Sequence, residues 1–284
     1  MLEIVDIPAL RRWRADCRAA GQRVGLVPTM GALHDGHLSL VDAALDRAGA
    51  VVMSIFVNPL QFGPEEDFAG YPRDIVRDRE LARQRGVSAL FVPSAETMYL
   101  AGAEVRVVPG ATATRWEGAL RPGHFEGVLT LVAKLFHIVE PDVAVFGQKD
   151  IQQAILIRRM VRELDWAVDV VVAPTVRAPD GLALSSRNAY LSSVQRQQAL
   201  ALSRALKKAD QAWREGERQA IALEAVVRGE LAVGNGLTVD YVAIADPVGL
   251  QPVVRAEVGT IIAVAVRAGK ARLLDNHILG REFS

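Results

Sequence analysis

Short apolar runs alternate with longer stretches of helical periodicity through roughly the first 175 residues. The runs Val24–Val27, Ala50–Phe56, Ala89–Val92, Val143–Phe146 and Val168–Val172 are almost continuously apolar, as strands buried on both faces are. Around them, Ile7–Ala20, His37–Ala48, Ile75–Arg85, Gly127–Val139 and Ile151–Leu164 repeat apolar positions every three or four residues, the spacing of a helix with one buried face. This alternation predicts an α/β fold with a mostly parallel sheet covered on both sides. Ligands of such sheets bind beyond the carboxyl ends of the strands. The polar residues that follow each apolar run are therefore the place to look for chemistry.

The pattern changes after about Ala173. Gln195–Glu215 and Arg218–Val233 read as two polar-faced helices with Gly216 as the stop between them. Val239–Ile244, Gly259–Val266 and Arg272–Leu274 read as short strands, and Asn235-Gly236 is a turn signal. Two domains are expected, residues 1–175 and a smaller α+β domain at 176–284. Half of the residues are hydrophobic, enough for sizeable cores, and 33 basic residues balance 33 acidic ones. That balance gives no electrostatic case for a nucleic-acid or membrane partner. The single cysteine, Cys17, excludes an intramolecular disulfide and a cysteine metal cluster; its place in a helical pattern suggests packing. No basic-then-apolar leader and no run of about 20 apolar residues is seen, so a cytoplasmic location is expected.

Five runs carry candidate chemistry. The first, Val27-Pro28-Thr29-Met30-Gly31-Ala32-Leu33-His34-Asp35-Gly36-His37, lies between a strand and a helix. Helix N-termini present N–H groups to anions, glycines let a phosphate approach the backbone, and imidazoles can donate to a phosphate that gains charge during reaction. In Ser54–Gly63, Asn58 and Gln61 follow a strand that Pro59 ends, and both can bond hydroxyl and carboxylate groups of a small substrate. In Arg121–Gly127, Arg121 and His124 could meet an anion ahead of an apolar helix. Gly147-Gln148-Lys149-Asp150 ends another strand, with Lys149 a compact phosphate-binding cation, Asp150 a helix cap or ribose contact, and Gln152 and Gln153 beyond. Finally, Thr175–Asn188 contains an Asp-Gly turn followed by Leu184-Ser185-Ser186-Arg187, two hydroxyls and a guanidinium suited to phosphate.

His34-x-Gly36-His37 resembles the H-x-G-H signature of the nucleotidyltransferase superfamily. The run Pro28–His37 is similar, more specifically, to the pantoate–β-alanine ligase family. The other four runs follow in that family's order and spacing, Ser185-Ser186-Arg187 standing where the superfamily's second signature lies. Two departures are Gln148, where many relatives have Glu, and Leu184, where Met is common. The resemblance implies a Rossmann-like domain with a smaller C-terminal lid, and condensation of (R)-pantoate with β-alanine at the expense of ATP through pantoyl adenylate. It implies ATP contacts from Met30, Gly31, Ala32, Leu33, His34, Asp35, Gly36, His37, Gly147, Gln148, Lys149, Asp150, Val176, Leu184, Ser185, Ser186 and Arg187. Pantoate or β-alanine would meet Gln61, Gln153, Asn58 and Arg121. His37, with His34, Lys149 and Arg187 in support, is expected to stabilise the charge that builds on the phosphates. Mg²⁺ is implied as a cofactor with its ligands left open, Asp78 aligning only roughly with an acidic position of the family's metal site. A homodimer is implied. The alternative is a nucleotidyltransferase whose final product keeps the nucleotide, which the paired amides Asn58/Gln61 and Gln152/Gln153 disfavour.

Overall fold

The computed structural model describes residues 1–64 and 66–284 and divides into two compact units. The first comprises residues 1–147 and 152–173, the second residues 148–151 and 174–284. The short segment 148–151 thus groups with the C-terminal part of the chain, which no local pattern announces.

In the first unit the elements run β1 (Leu2–Ile4), α1 (Ile7–Ala19), β2 (Val24–Thr29), α2 (Asp35–Leu45), β3 (Ala50–Ile55), α3 (Ile75–Gln84), β4 (Ala89–Phe91), α4 (Ala95–Met98), α5 (Glu117–Leu120), α6 (His124–Val139), β5 (Val143–Gly147), α7 (Ile151–Glu163) and β6 (Asp169–Ala173). The six strands form one sheet in the order β1-β4-β3-β2-β5-β6, every described pairing parallel. Alternate strand residues enter two separate cores. Leu26, Val52, Ala89 and Ala144 pack with Leu10, Leu135 and Ile157 of α1, α6 and α7. Val27, Met53, Leu90 and Val145 pack with Val41 and Ala82 of α2 and α3. Burial on both faces is why the strands read as unbroken apolar runs. The chain leaves β2 toward β3 on one side and returns to β5 on the other. The carboxyl ends of β2 and β5 therefore flank the reversal in strand order, where parallel sheets hold ligands.

The second unit contains α8 (Ser193–Arg214), α9 (Ala220–Val233), β7 (Leu237–Ala245), β8 (Ile261–Ala268) and β9 (Ala271–Ile278). Its strands form an antiparallel sheet in the order β7-β8-β9. Leu202, Leu206, Leu223 and Val227 of the helices pack on Ile244, Ile262, Val264 and Leu273. Ser192 and Gln195 form a reciprocal cap at the start of α8.

Several boundaries differ from the expectation. β1 carries no sequence signal, being three residues long with only Ile4 buried. α2 begins at Asp35, so His34 is its N-cap and His37 its third residue. α6 begins at His124, three residues before Gly127. β9 continues to Ile278, past the expected Leu274, which puts Asp275, Asn276 and His277 on a strand. His137, read as a core histidine, is exposed near the end of α6. Among the described residues no helix is long and apolar enough to cross a membrane.

Candidate active site

The loop from β2 to α2 is held from both sides. Thr29 Oγ1 donates to the Ser54 carbonyl at 2.8 Å and accepts from Gly31 N–H at 3.2 Å. The next two N–H groups, of Ala32 and Leu33, donate to the Asp78 carboxylate at 2.8 and 2.7 Å. Gly31 has φ +85°, and a Cβ there would lie 2.9 Å from Asp78 Oδ2, so only glycine lets the loop approach the carboxylate in this conformation. Asp78 is 1% exposed. Burial raises its pKa, while the two main-chain donors pull it back.

His34 and His37 emerge from this loop half-buried, their ring centres 4.0 Å apart. His37 Nδ1 accepts the His34 main-chain N–H at 3.4 Å. A neutral imidazole bonded in this way carries its proton on Nε2. His37 is thereby held in the tautomer whose Nε2–H is a donor. Met30, Gly31, Ala32, Leu33, Asp35 and Gly36 complete the loop and the first turn of α2, where helix N–H groups lack intrahelical partners as a rule.

The polar residues after β3 divide into those that present a side chain and those that hold the frame. Asn58 is 0% exposed. Its Nδ2 donates to the Gly127 carbonyl at 3.0 Å and to Gln61 Oε1 at 3.3 Å. Its Oδ1 accepts from Leu60 N–H at 3.2 Å and from the Tyr99 hydroxyl at 2.9 Å. These four bonds engage the Asn58 amide within the protein, and one of them reaches the Gln61 side chain. Burial holds the Tyr99 hydroxyl protonated, its pKa raised to about 12. Gln61 remains half-buried, with Nε2 2.8 Å from Met30 Sδ.

Arg121, expected to meet an anion or the substrate, is engaged with groups of the protein. Its guanidinium binds Glu66 bidentately at 2.6 and 2.7 Å and donates to the Gln61 carbonyl at 3.2 Å. Burial works against the Glu66 charge, but Arg121 outweighs it and lowers the carboxyl pKa. His124 Nδ1 lies 2.8 Å from the same Gln61 carbonyl, and its Nε2 lies 3.1 Å from Arg121 Nη1. A carbonyl only accepts, so Nδ1 bears the proton and Nε2 accepts from Arg121. Burial, with the Arg121 charge beside it, lowers the His124 pKa to about 4. The network is that of a neutral histidine fixing the Gln61 main chain.

Gln153 is half-buried on α7. Its neighbour Gln152 is 3% exposed. It accepts from Glu117 N–H at 3.1 Å and donates to the carbonyls of Thr112 and Arg115 at 3.0 and 2.9 Å. Of that pair only Gln153 keeps a partly exposed side chain. Gly147 ends β5, where a side chain would meet open space.

In the second unit, Gln148–Asp150 form a tight turn. Lys149 Nζ lies 3.1 Å from Asp150 Oδ1, and Gln148 is buried with its Nε2 donating to Asn276 Oδ1 at 3.3 Å. Residues 176–184 form a small hairpin. Leu184 N–H donates to the Val176 carbonyl at 2.9 Å, and Gly181 turns with φ +94°. The hairpin leads into Ser185, whose Oγ accepts from Arg187 N–H at 3.3 Å, and the half-buried Ser186 and Arg187. Asn188 Nδ2 secures the segment through the Ala183 carbonyl at 3.0 Å.

Among the described residues no three His, Cys, Asp or Glu side chains gather as a metal cage. Asp78 is enclosed and engaged by two N–H donors, and position 148 carries an amide. The side chains do not fit a resident divalent ion.

Sequence reasoning missed Glu66, Tyr99 and Asn276 as supports of these groups. Glu66 and Tyr99 sit in ordinary polar or aromatic contexts, and only the three-dimensional contacts give them a task.

The chain is similar to known proteins along nearly its whole length. The family model described as pantoate-beta-alanine ligase matches residues 3–278. The pantothenate synthetase of Moorella thermoacetica is 51% identical over 274 residues, covering 96% of each chain. That of Pelotomaculum thermopropionicum is 48% identical over 281 residues, covering 99% of this chain and all of the relative. The crystal structure of pantothenate synthetase from Thermus thermophilus superposes with a TM-score of 0.93 at 46% identity, covering 98% of this chain and 99% of that one. The pantoate-beta-alanine ligase of Francisella tularensis, solved with beta-gamma ATP and beta-alanine, gives 0.82 at 33% identity over the whole of both chains. With that coverage and the signature loop in place, the chain belongs to the pantoate-beta-alanine ligase family.

Proposed function

We propose that the protein condenses (R)-pantoate with β-alanine, using ATP, to give pantothenate, AMP and pyrophosphate. In the first half-reaction a pantoate carboxylate oxygen attacks the α-phosphorus of ATP. The bond from that phosphorus to the bridging oxygen breaks, and pyrophosphate leaves. In the second, the β-alanine amine attacks the acyl carbon of pantoyl adenylate, loses a proton and displaces AMP.

The single observation that carries this reading is the clamped His34-x-Gly36-His37 loop. Its main chain is fixed by Asp78 and its His37 ring is held as an Nε2–H donor. A fixed donor needs no reorganisation when charge develops on phosphoryl oxygens. Gln61, oriented by Asn58, Arg121 and His124, suits the hydroxyl and carboxylate groups of pantoate, and Gln153 is assigned to the same substrate. Lys149, Ser185, Ser186 and Arg187 are assigned to the triphosphate, with Gly147, Gln148, Asp150, Val176 and Leu184 beside the nucleotide. MgATP is the substrate form, the ion neutralising phosphate charge. Asn58 and Arg121 act by positioning Gln61. The same reading makes residues 176–284 a lid that keeps water from the adenylate, and the enzyme a cytoplasmic homodimer.

The test is exchange of labelled pyrophosphate into ATP with pantoate and Mg²⁺ but no β-alanine. Exchange that depends on pantoate establishes the reversible adenylate. AMP formed only when β-alanine is present, without exchange, replaces the two-step scheme by a concerted one. No AMP under either condition refutes the ligase reading.

A further inference from the structure

The run Leu273-Leu274-Asp275-Asn276-His277 takes no part in the chemistry above, yet Asp275, Asn276 and His277 are each 2% exposed. Buried polar groups on a strand are costly unless partnered, and the partners here are specific. Asn276 Nδ2 donates to the main-chain carbonyls of Gln148 at 2.9 Å and Lys149 at 3.0 Å. Its Oδ1 accepts from Gln148 Nε2 at 3.3 Å. Only a planar amide has two donors and an acceptor placed for all three bonds. The preceding carboxylate, Asp275, binds Arg177 bidentately at 2.6 and 3.0 Å. Arg177 in turn pairs with Ala183 across the 176–184 hairpin and donates to the Gly181 carbonyl at 3.3 Å. Two adjacent residues of β9 thus grip two separate segments of the second unit, the turn that carries Lys149 and the hairpin that leads to Ser185–Arg187.

We propose that Asn276, with Asp275 beside it, is a positioning residue for ATP. It holds the carbonyls of residues 148 and 149 so that the Lys149 ammonium is presented in one place. Asp275 does the same for the hairpin through Arg177. The inference rests on the reading of Lys149 as a phosphate-binding group.

The experiment is a double-mutant cycle. Asn276→Asp keeps the shape but removes both donors and turns a carboxylate toward two carbonyls. Measured at saturating pantoate, it is expected to lower kcat/KM for ATP by about tenfold, the size of an ordinary pair of lost hydrogen bonds. KM for pantoate should stay within about twofold, because the change acts on one substrate. In a Lys149→Ala background the same substitution should cost nothing further, because its effect runs through the absent ammonium. Equal costs in both backgrounds, or an unchanged kcat/KM for ATP in the single variant, would overturn the proposal. Lys149→Ala with wild-type kinetics would instead refute the assignment of Lys149, a separate failure. Asn276→Ala, which leaves no carboxylate facing the carbonyls, carries the same cycle if the Asp variant does not fold.

Discussion

Gly127 offers the sharpest mechanical test of how Gln61 is positioned. A Cβ at residue 127 would lie 2.1 Å from the Leu60 carbonyl oxygen, 2.4 Å from its carbon and 2.7 Å from Gln61 N. Ordinary contact begins near 3.4 Å, so α6 and the 59–61 turn would have to part by about 1.3 Å. Every atom met is backbone, and the bond from Asn58 Nδ2 to the Gly127 carbonyl ties the two together. No flexible side chain can absorb the clash. Overpacking of this kind costs about 1–3 kcal/mol. In a chain of this size that corresponds to a fall in Tm of roughly 2–10 °C. Moving a substrate-positioning group by about 1 Å costs on the order of 100-fold in rate. Gly127→Ala is therefore expected to fold, to melt lower, and to lose about 100-fold in kcat/KM for pantoate. The assay is the initial rate of AMP formation with pantoate varied at saturating ATP and β-alanine, beside thermal unfolding followed by circular dichroism. Gly229→Ala, at an exposed position of α9 with open space around it, is the control, expected to add about 0.5–1 kcal/mol of stability. Wild-type kinetics and Tm in Gly127→Ala would refute the claim that this backbone contact places Gln61.

Three further outcomes are expected. His37→Ala should lower kcat by roughly two to three powers of ten, the usual loss for one transition-state donor, while the protein stays folded; an unaltered kcat removes His37 from the chemistry. Asp78→Ala removes the carboxylate that accepts from Ala32 and the buried Leu33 N–H, which costs about 1–3 kcal/mol for the buried donor, read by urea unfolding. The dependence of its rate on added Mg²⁺ should match the wild type's, and a shifted dependence in a folded variant would give Asp78 a metal role after all. His124 has a folded pKa lowered to about 4 from 6.5, so the folded state binds fewer protons there than the unfolded chain. Its contribution is fully present above pH 6.5 and is lost as pH falls toward 4. His124→Asn should show a shallower loss of stability than the wild type between about pH 6.5 and 4.5, and parallel curves would contradict the neutral ring.

The legible parts of the chain were those governed by local physics. Continuous apolar runs marked β2 to β6 because a strand buried on both faces has no polar side to show. The histidine loop stood out because glycines and imidazoles between a strand and a helix serve few other purposes. The internal bonds of Asn58, Gln152 and Arg121 were not legible, because an amide or guanidinium looks the same in sequence whether it binds a substrate or the protein's own groups. Asp78 sits between Arg77 and Arg79 in what reads as a solvated helix face, and nothing local signals that it is buried against a loop 46 residues away.

By itself the sequence determined the α/β class, the family and the chemical types available after each strand. These follow from periodicity, composition and short motifs, which act over a few residues. The tertiary structure decided which polar groups face outward and which are consumed inside. It made Asn58 a support for Gln61, made Glu66 the partner of Arg121, made Asp78 the clamp of the histidine loop, and gave Asn276 to the Lys149 turn. Those choices depend on burial and on hydrogen-bond partners distant along the chain, and a buried polar group takes its role from whatever satisfies it.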